Sequence, residues 1–149
     1  MGEERIRELK ERYRKTRDYA PGAIHPGERF FEMNPEWFEK YQKMWEFACG
    51  PGKALSVKMR ELIIMALSAH IYPFPDRIKM HMRRAIYHGA TVEEIIDTAT
   101  TVWMDGGPAP CWTIFAGLRE LEEEAKKLGE TFGKGKEWLL LSEVPAVEV

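Results

Sequence analysis

The sequence predicts an all-α protein of about six helices, and three observations carry that prediction. Apolar residues recur three and four apart through most of the chain from Glu3 to Lys127. Helix-stopping breaks separate these stretches: Gly50-Pro51-Gly52, Tyr72-Pro73-Phe74-Pro75, Gly89-Ala90 and Asp105-Gly106-Gly107-Pro108. No run of alternating apolar and polar residues is long enough to argue for a sheet.

Residues 3–19 form a charged first helix in which Ile6, Leu9 and Tyr13 make one narrow apolar stripe. Arg12, Arg14, Lys15 and Arg17 would suit a phosphate-binding arm, but interleaved glutamates favour a solvated face. Residues 20–34, with Pro21, Gly22, Pro26 and Gly27, read as a loop. Asn34-Pro35 starts the second helix, because Asn accepts from free N–H groups and Pro suits the first helical position. On that helix Trp37, Phe38, Tyr41, Met44, Trp45 and Ala48 share a face read as core or subunit interface.

Ser56 caps a third helix over residues 57–71. Ile63, Ala66, Leu67 and His70 lie on one of its faces, and Glu61, Ile64, Met65 and Ser68 on another. A helix apolar on nearly all sides is expected at the centre of the fold. The YPFP turn folds it back in a hairpin with a fourth helix, whose Ile78, Met82, Ala85 and Ile86 are apolar. Gly89 suits the left-handed position that closes this helix, and Thr91-x-x-Glu94 is a capping box opening the fifth, over 92–104. Ile95, Ile96, Ala99 and Val102 form its inward face. A sixth helix over 110–127 turns Ile114, Phe115, Leu118 and Leu121 inward, with residues 122–127 in solvent. In the tail at 129–149, Trp138, Leu139, Leu140 and Leu141 form an apolar hook suited to a neighbouring subunit.

A chain of 149 residues suffices for one domain with a real core, and 44% hydrophobic against 31% charged residues excludes a disordered protein. We therefore expect one domain over 1–149. A net charge of −2 offers no electrostatic argument for nucleic acid or an anionic membrane, and neither partner is expected. The N-terminal MGEERIRELK lacks the apolar stretch of a secretory signal. Cys49 and Cys111 have no metal-binding or Cys-x-x-Cys spacing and read as reduced thiols, which suits a cytoplasmic protein.

Glu61 and His81 are the candidate reactive pair. Each lies within an apolar helical segment, where a polar side chain needs a partner. Folding back across the YPFP turn brings them to similar heights. A carboxylate beside an imidazole orients it for general acid–base work near neutral pH. The plainer alternative has Glu61 in solvent or paired with Lys58 or Arg60, and His81 as a satisfied core histidine. His81 and His88 stand roughly 10 Å apart along a helix axis, too far to share a zinc ion, and no metal is expected. His88 suits the free carbonyls of a helix end, and His70 suits packing.

These residues and their neighbours resemble the carboxymuconolactone decarboxylase family, which includes the alkylhydroperoxidase D enzymes. The resemblance covers residues 55–117. It rests on Arg60-Glu61-Leu62-Ile63, on Asp76-Arg77-Ile78-Lys79-Met80-His81, on Gly89-Ala90-Thr91 with Glu94, and on Gly106-Gly107-Pro108. It implies an orthogonal helical bundle that assembles as a homo-trimer or homo-hexamer. In alkylhydroperoxidase D proteins a Cys-x-x-Cys follows the glutamate helix, and a histidine stands four residues after the second cysteine. Here His81 holds the histidine's place, while Phe74 and Arg77 occupy the cysteine positions. Thiol-based peroxide reduction is therefore not carried over. Cys111, near a helix start, is the nearby thiol candidate; its alternative is an inert buried cysteine.

The decarboxylase branch does not need the cysteines, and it implies release of CO₂ from a carboxylated lactone without metal or organic cofactor. On that reading His81 donates the proton, Glu61 orients it, and Arg77 or Arg84 holds the substrate carboxylate. Tyr72, Phe74, Trp103 and Trp112 are candidate pocket walls, each with an equally good core or interface reading. The expected function is a cofactor-independent decarboxylase or proton-transfer enzyme. A peroxidase-like redox protein and a non-catalytic small-molecule binding protein are the alternatives.

Overall fold

The computed structural model describes residues 2–17 and 29–127. Within them the chain forms seven helices and no strand: α1 (Glu3–Arg17), α2 (Phe30–Met33), α3 (Pro35–Cys49), α4 (Val57–Ile71), α5 (Pro75–Tyr87), α6 (Val92–Gly106) and α7 (Pro108–Lys127). The fold is all-α. The helix beyond the expected six is α2, a single turn inside the stretch read as a loop. Positions 18–28 and the tail at 129–149, with its expected apolar hook, lie outside the described residues. Among the described residues no helix is long and apolar enough to cross a membrane. Packing divides the helices into two compact units, one holding α1 to α3 and the other, from Leu55, holding α4 to α7.

In the first unit the α1 stripe does what its spacing predicts: Leu9 and Tyr13 are buried, with Ile6 packed beside them. Phe31 explains why residues 30–33 coil into a turn of helix. Its buried ring meets Phe38 edge-on at 4.4 Å and Tyr13 at 5.6 Å, and that packing overrides the loop signals around it. Arg5, Lys10 and Arg12 of α1 pair with Glu39, Glu32 and Glu46. Arg17 is buried over the Trp45 ring at 3.7 Å. These four basic side chains of α1 thus bind α2 and α3. The aromatic face read on α3 splits in two. Phe38 is buried and Tyr41 and Trp45 half-buried, while Trp37 and Met44 stay exposed. Gln42 takes a buried place among the inward residues, donating to Thr16 at 2.6 Å and Glu46 at 2.9 Å.

The second unit carries the hairpin. Ser56 Oγ accepts from the Met59 N–H at 3.2 Å and starts α4, which packs against α5, α6 and α7. One face of α4 is buried and another is exposed. Glu61, Leu62, Met65, Ser68 and Ala69 face inward, while Met59, Ile63, Leu67 and Ile71 form an exposed apolar stripe. His70 is exposed too, so it does not serve the core. After the turn, Pro75 takes the first position of α5, and Ile78, Met82, Ala85 and Ile86 are buried as their spacing requires.

The Gly89 N–H bonds the Ile86 carbonyl and the Ala90 N–H bonds that of Ala85, each at 2.9 Å, with Gly89 at φ 92°. Thr91 and Glu94 form the reciprocal capping box, with contacts of 3.1 and 3.0 Å. The Lys58 ammonium reaches Glu94 at 2.6 Å and ties the start of α6 to α4. This ion pair and the Thr91 N–H hold the Glu94 carboxyl below its ordinary range.

The Gly-Gly-Pro break is narrower than the sequence suggests. α6 runs through Gly106, and Gly107 alone, at φ 76°, separates it from α7. Gly106 sits where a Cβ would meet Pro110, Val102 and His70 at 3.2 to 3.4 Å, so its lack of a side chain closes the corner. At Gly117 a Cβ would touch Ile78 and Met82 at 3.4 Å, which marks the close approach of α7 to α5. Beside that approach Lys79 bonds Glu120 at 2.9 Å and Glu124 at 3.1 Å, and Arg83 also pairs with Glu124. Burial opposes the Lys79 charge, but the surrounding carboxylates outweigh it and hold the amine above its ordinary lysine value. The end of α7 is therefore not simply solvated. Ala125 is buried, while Phe115 and Leu118 are only half-buried.

Thr91→Ala removes one half of the capping box and is expected to lower stability by about 1 kcal/mol. Urea denaturation followed by far-UV circular dichroism measures this. An unchanged midpoint would show that the cap is redundant with the Lys58–Glu94 pair.

Candidate functional site

The α4–α5 pairing is a polar seam set inside an apolar contact. On α4, Glu61 and Ser68 are two turns apart on the buried face. On α5, Arg77, His81 and Arg84 follow at spacings of four and three, which places them on one side of the helix. The antiparallel hairpin then matches the two rows. His81 Nδ1 lies 2.8 Å from Glu61 Oε2, and Arg84 Nη1 donates to Glu61 Oε1 at 2.6 Å. One turn nearer the hairpin bend, Arg77 Nε donates to Ser68 Oγ at 3.3 Å.

The inner three groups are shielded from water, with residual exposures of 2% for Glu61, 9% for His81 and 8% for Arg84. Two oxygens of one carboxylate therefore serve two different cations or donors. His81 Nε2 is buried with no hydrogen-bond partner. A buried ring nitrogen without a partner costs stability, and such atoms are common where a reacting group is to be met.

Arg84, a candidate for holding a substrate carboxylate, is committed to a carboxylate of its own chain. The spacing argument missed this because Arg84 and His81, three apart on one helix, reach the same acid. Arg77 keeps the more open position. It is exposed, bonded to a hydroxyl, with its guanidinium 5.5 Å from the Tyr72 ring centre. Tyr72 and Phe74 lie exposed on the hairpin bend, and Trp103 and Trp112 meet at 6.0 Å on the α6–α7 corner, also exposed. All four rings are surface features of the chain and none is enclosed. Ser68, which accepts from Arg77, stands two turns beyond Glu61 on the same face of α4, and that spacing is its signal in the sequence.

Cys111 is completely buried in the fourth position of α7. Burial pushes its thiol above the ordinary value, so the desolvation of the thiolate outweighs any help from the nearby helix end. The reactive-thiol reading of Cys111 loses its physical basis. Among the described residues no group of three or more His, Cys, Asp or Glu side chains is placed to hold a metal ion. An open cleft on α1 is lined by Ile6 and by charged side chains of both signs, Arg7, Lys10 and Glu11 among them. It lies in the unit that does not contain Glu61 and His81.

The sequence profile of the carboxymuconolactone decarboxylase family matches residues 35–119. The match takes in α3 to α6 and the first half of α7, more than half of the chain, and includes every residue of the polar seam. The chain belongs to the carboxymuconolactone decarboxylase family. No curated protein and no solved structure matches it.

In the native protein at pH 8, Cys49, which is half-buried, is expected to react with a chromogenic disulfide while Cys111 reacts only on unfolding. Because the folded state favours the neutral Cys111 thiol, that stabilisation is complete below roughly pH 8.5 and declines at higher pH. Wild type should then lose stability relative to Cys111→Ala as the pH passes about 9. Rapid labelling of both thiols in the native state would contradict this burial.

Proposed function

We propose that this protein is a proton-transfer enzyme of the decarboxylase kind, acting on a small carboxylated lactone or ring without a cofactor. One observation carries the reading: the buried 2.8 Å contact of His81 Nδ1 with Glu61, combined with an unpartnered Nε2 on the same ring. When Nδ1–H donates to Glu61, the lone pair of Nε2 is left to take up a proton, and the imidazolium so formed donates it again. In the decarboxylation, the bond between the ring carbon and its carboxylate breaks and CO₂ leaves. The electron pair passes into the lactone as an enolate. Nε2, protonated by solvent as the substrate carboxylate enters, gives that proton to carbon, and the ring returns to its neutral Nδ1–H form.

Arg77 supports the choice of a carboxylated substrate. It lies one turn from His81 on the same side of α5, and its described contacts are a hydroxyl and a ring rather than a carboxylate. That leaves its fork of N–H donors suited to a substrate carboxylate. Tyr72 and Phe74 at the bend are the nearest rings to that position in sequence. The peroxidase-like reading has less support, since Phe74 and Arg77 stand where thiols would be and Cys111 is buried. The two unpaired cysteines fit a reducing cytoplasm.

We further read the protein as an assembly of identical copies, a trimer or hexamer as the family resemblance implies. The exposed Met59–Ile63–Leu67–Ile71 stripe and the exposed Trp103, Met104 and Trp112 support this, because such side chains grouped on a surface favour burial against another chain. Leu67→Glu should dissociate the assembly. Light scattering on wild type at the mass of one chain would end this reading.

The activity is tested by incubating the protein with a carboxymuconolactone and measuring CO₂ release. His81→Asn is expected to lower kcat by about 100-fold or more. Arg77→Met should raise KM by about tenfold, with a smaller change in kcat. Turnover by His81→Asn at the wild-type rate would overturn the proposal.

A further inference from the structure

Glu61 is held from two directions. His81 Nδ1 contacts Oε2 at 2.8 Å, and Arg84 Nη1 donates to Oε1 at 2.6 Å. All three residues are buried, none more than 9% exposed. A buried carboxylate needs a compensating positive charge or a proton. The guanidinium supplies that charge at every pH the protein meets, whereas an imidazole supplies it only while protonated. The other charged groups of α5 near this seam are engaged elsewhere or stand further out. Lys79 and Arg83 are bonded to Glu120 and Glu124 of α7, and Arg77 to Ser68. On α4, Lys58 is bonded to Glu94. Among the described residues, Arg84 is a permanent cation in direct contact with Glu61.

We propose that Arg84 is a positioning residue: by holding Glu61 Oε1 it keeps the carboxylate a pure acceptor, which fixes His81 as the Nδ1–H tautomer and leaves Nε2 proton-free for the substrate. This rests on the proton-transfer reading of the same pair. The charge count shows why the third member matters. With neutral His81 the trio is electrically neutral, and with imidazolium it carries one positive charge. Without Arg84, neutral His81 would leave a bare buried carboxylate. A proton would then be retained between the two groups, either on Nε2 of an imidazolium or on Glu61, whose O–H would turn Nδ1 into the acceptor and move the ring proton to Nε2. Both alternatives place hydrogen on the atom that must first take up the proton it delivers.

The test is nitrogen-15 magnetic resonance of ring-labelled histidine in the full chain at neutral pH, with His81→Asn used to assign the signal. Nε2 of His81 is expected to be proton-free in the wild type and in Arg84→Lys, and protonated in Arg84→Gln. Proton-free Nε2 in all three proteins would overturn the positioning role while leaving the Glu61–His81 reading intact. Protonated Nε2 in the wild type would overturn it as well. CO₂ release from a carboxymuconolactone by wild type and His81→Asn then decides separately whether the proton-transfer reading falls with it.

Should Arg84→Gln not fold, the carboxyl carbon-13 signal of Glu61 in the wild type gives a second answer. At neutral pH it should have the value of an ionised carboxylate. A carboxyl signal with the shift of a protonated acid would overturn the proposal.

Discussion

The burial of Glu61 is the constraint around which the α4–α5 hairpin is arranged. Removing a carboxylate from water costs several kcal/mol unless its charge and lone pairs are met by the protein. Here one oxygen meets a guanidinium and the other an imidazole, both from α5. Helix spacing makes this feasible, since residues 81 and 84 present neighbouring side chains to one point on the opposing helix. A slip of one residue between the helices would break both contacts and leave a buried charge alone. The polar seam thus sets the register between the two helices.

α5 carries charges on two sides for different ends. Toward α4 it presents Arg77, His81 and Arg84, and toward α7 it presents Lys79 and Arg83 to Glu120 and Glu124. Between the two rows Ile78 and Met82 pack closely on Gly117. The outer network is partly wet and contributes modestly to stability, yet it holds α5 from the side opposite Glu61 and His81. That support limits rotation of the helix and so keeps the His81 ring aimed at Glu61. Supporting contacts of this kind give a site its geometric precision.

The division of polar residues between buried and exposed places follows a gradient along the hairpin. Glu61, His81 and Arg84 are sealed; Ser68 is buried but bonded to an exposed arginine; Tyr72 and Phe74 at the bend face solvent. The exposed apolar side of α4 lies on the opposite face of the same helix, away from the polar seam.

The local signals were legible in the residues themselves. Asn34-Pro35, Ser56, Gly89 and the Thr91–Glu94 box depend only on neighbours in the chain, and each sits where its chemistry directs. The all-α class followed from the same local rules. Phe31 shows where they fail, because its turn of helix exists through packing on Tyr13 and Phe38 rather than through propensity. Gln42 and Arg17, polar yet buried, show it again. At the seam, the spacing of Glu61 and His81 about the YPFP bend put the two at similar heights. Which way each faced was not in the spacing. Arg84 looked like a free anion anchor until the hairpin placed Glu61 against it, and Cys111 looked activated by a helix start until burial removed water from it. The sequence by itself determined helices, caps and breaks, because these are fixed by interactions within a few residues. Tertiary structure alone decided which charges are compensated and which remain available, because that depends on the register between helices and on the exclusion of water.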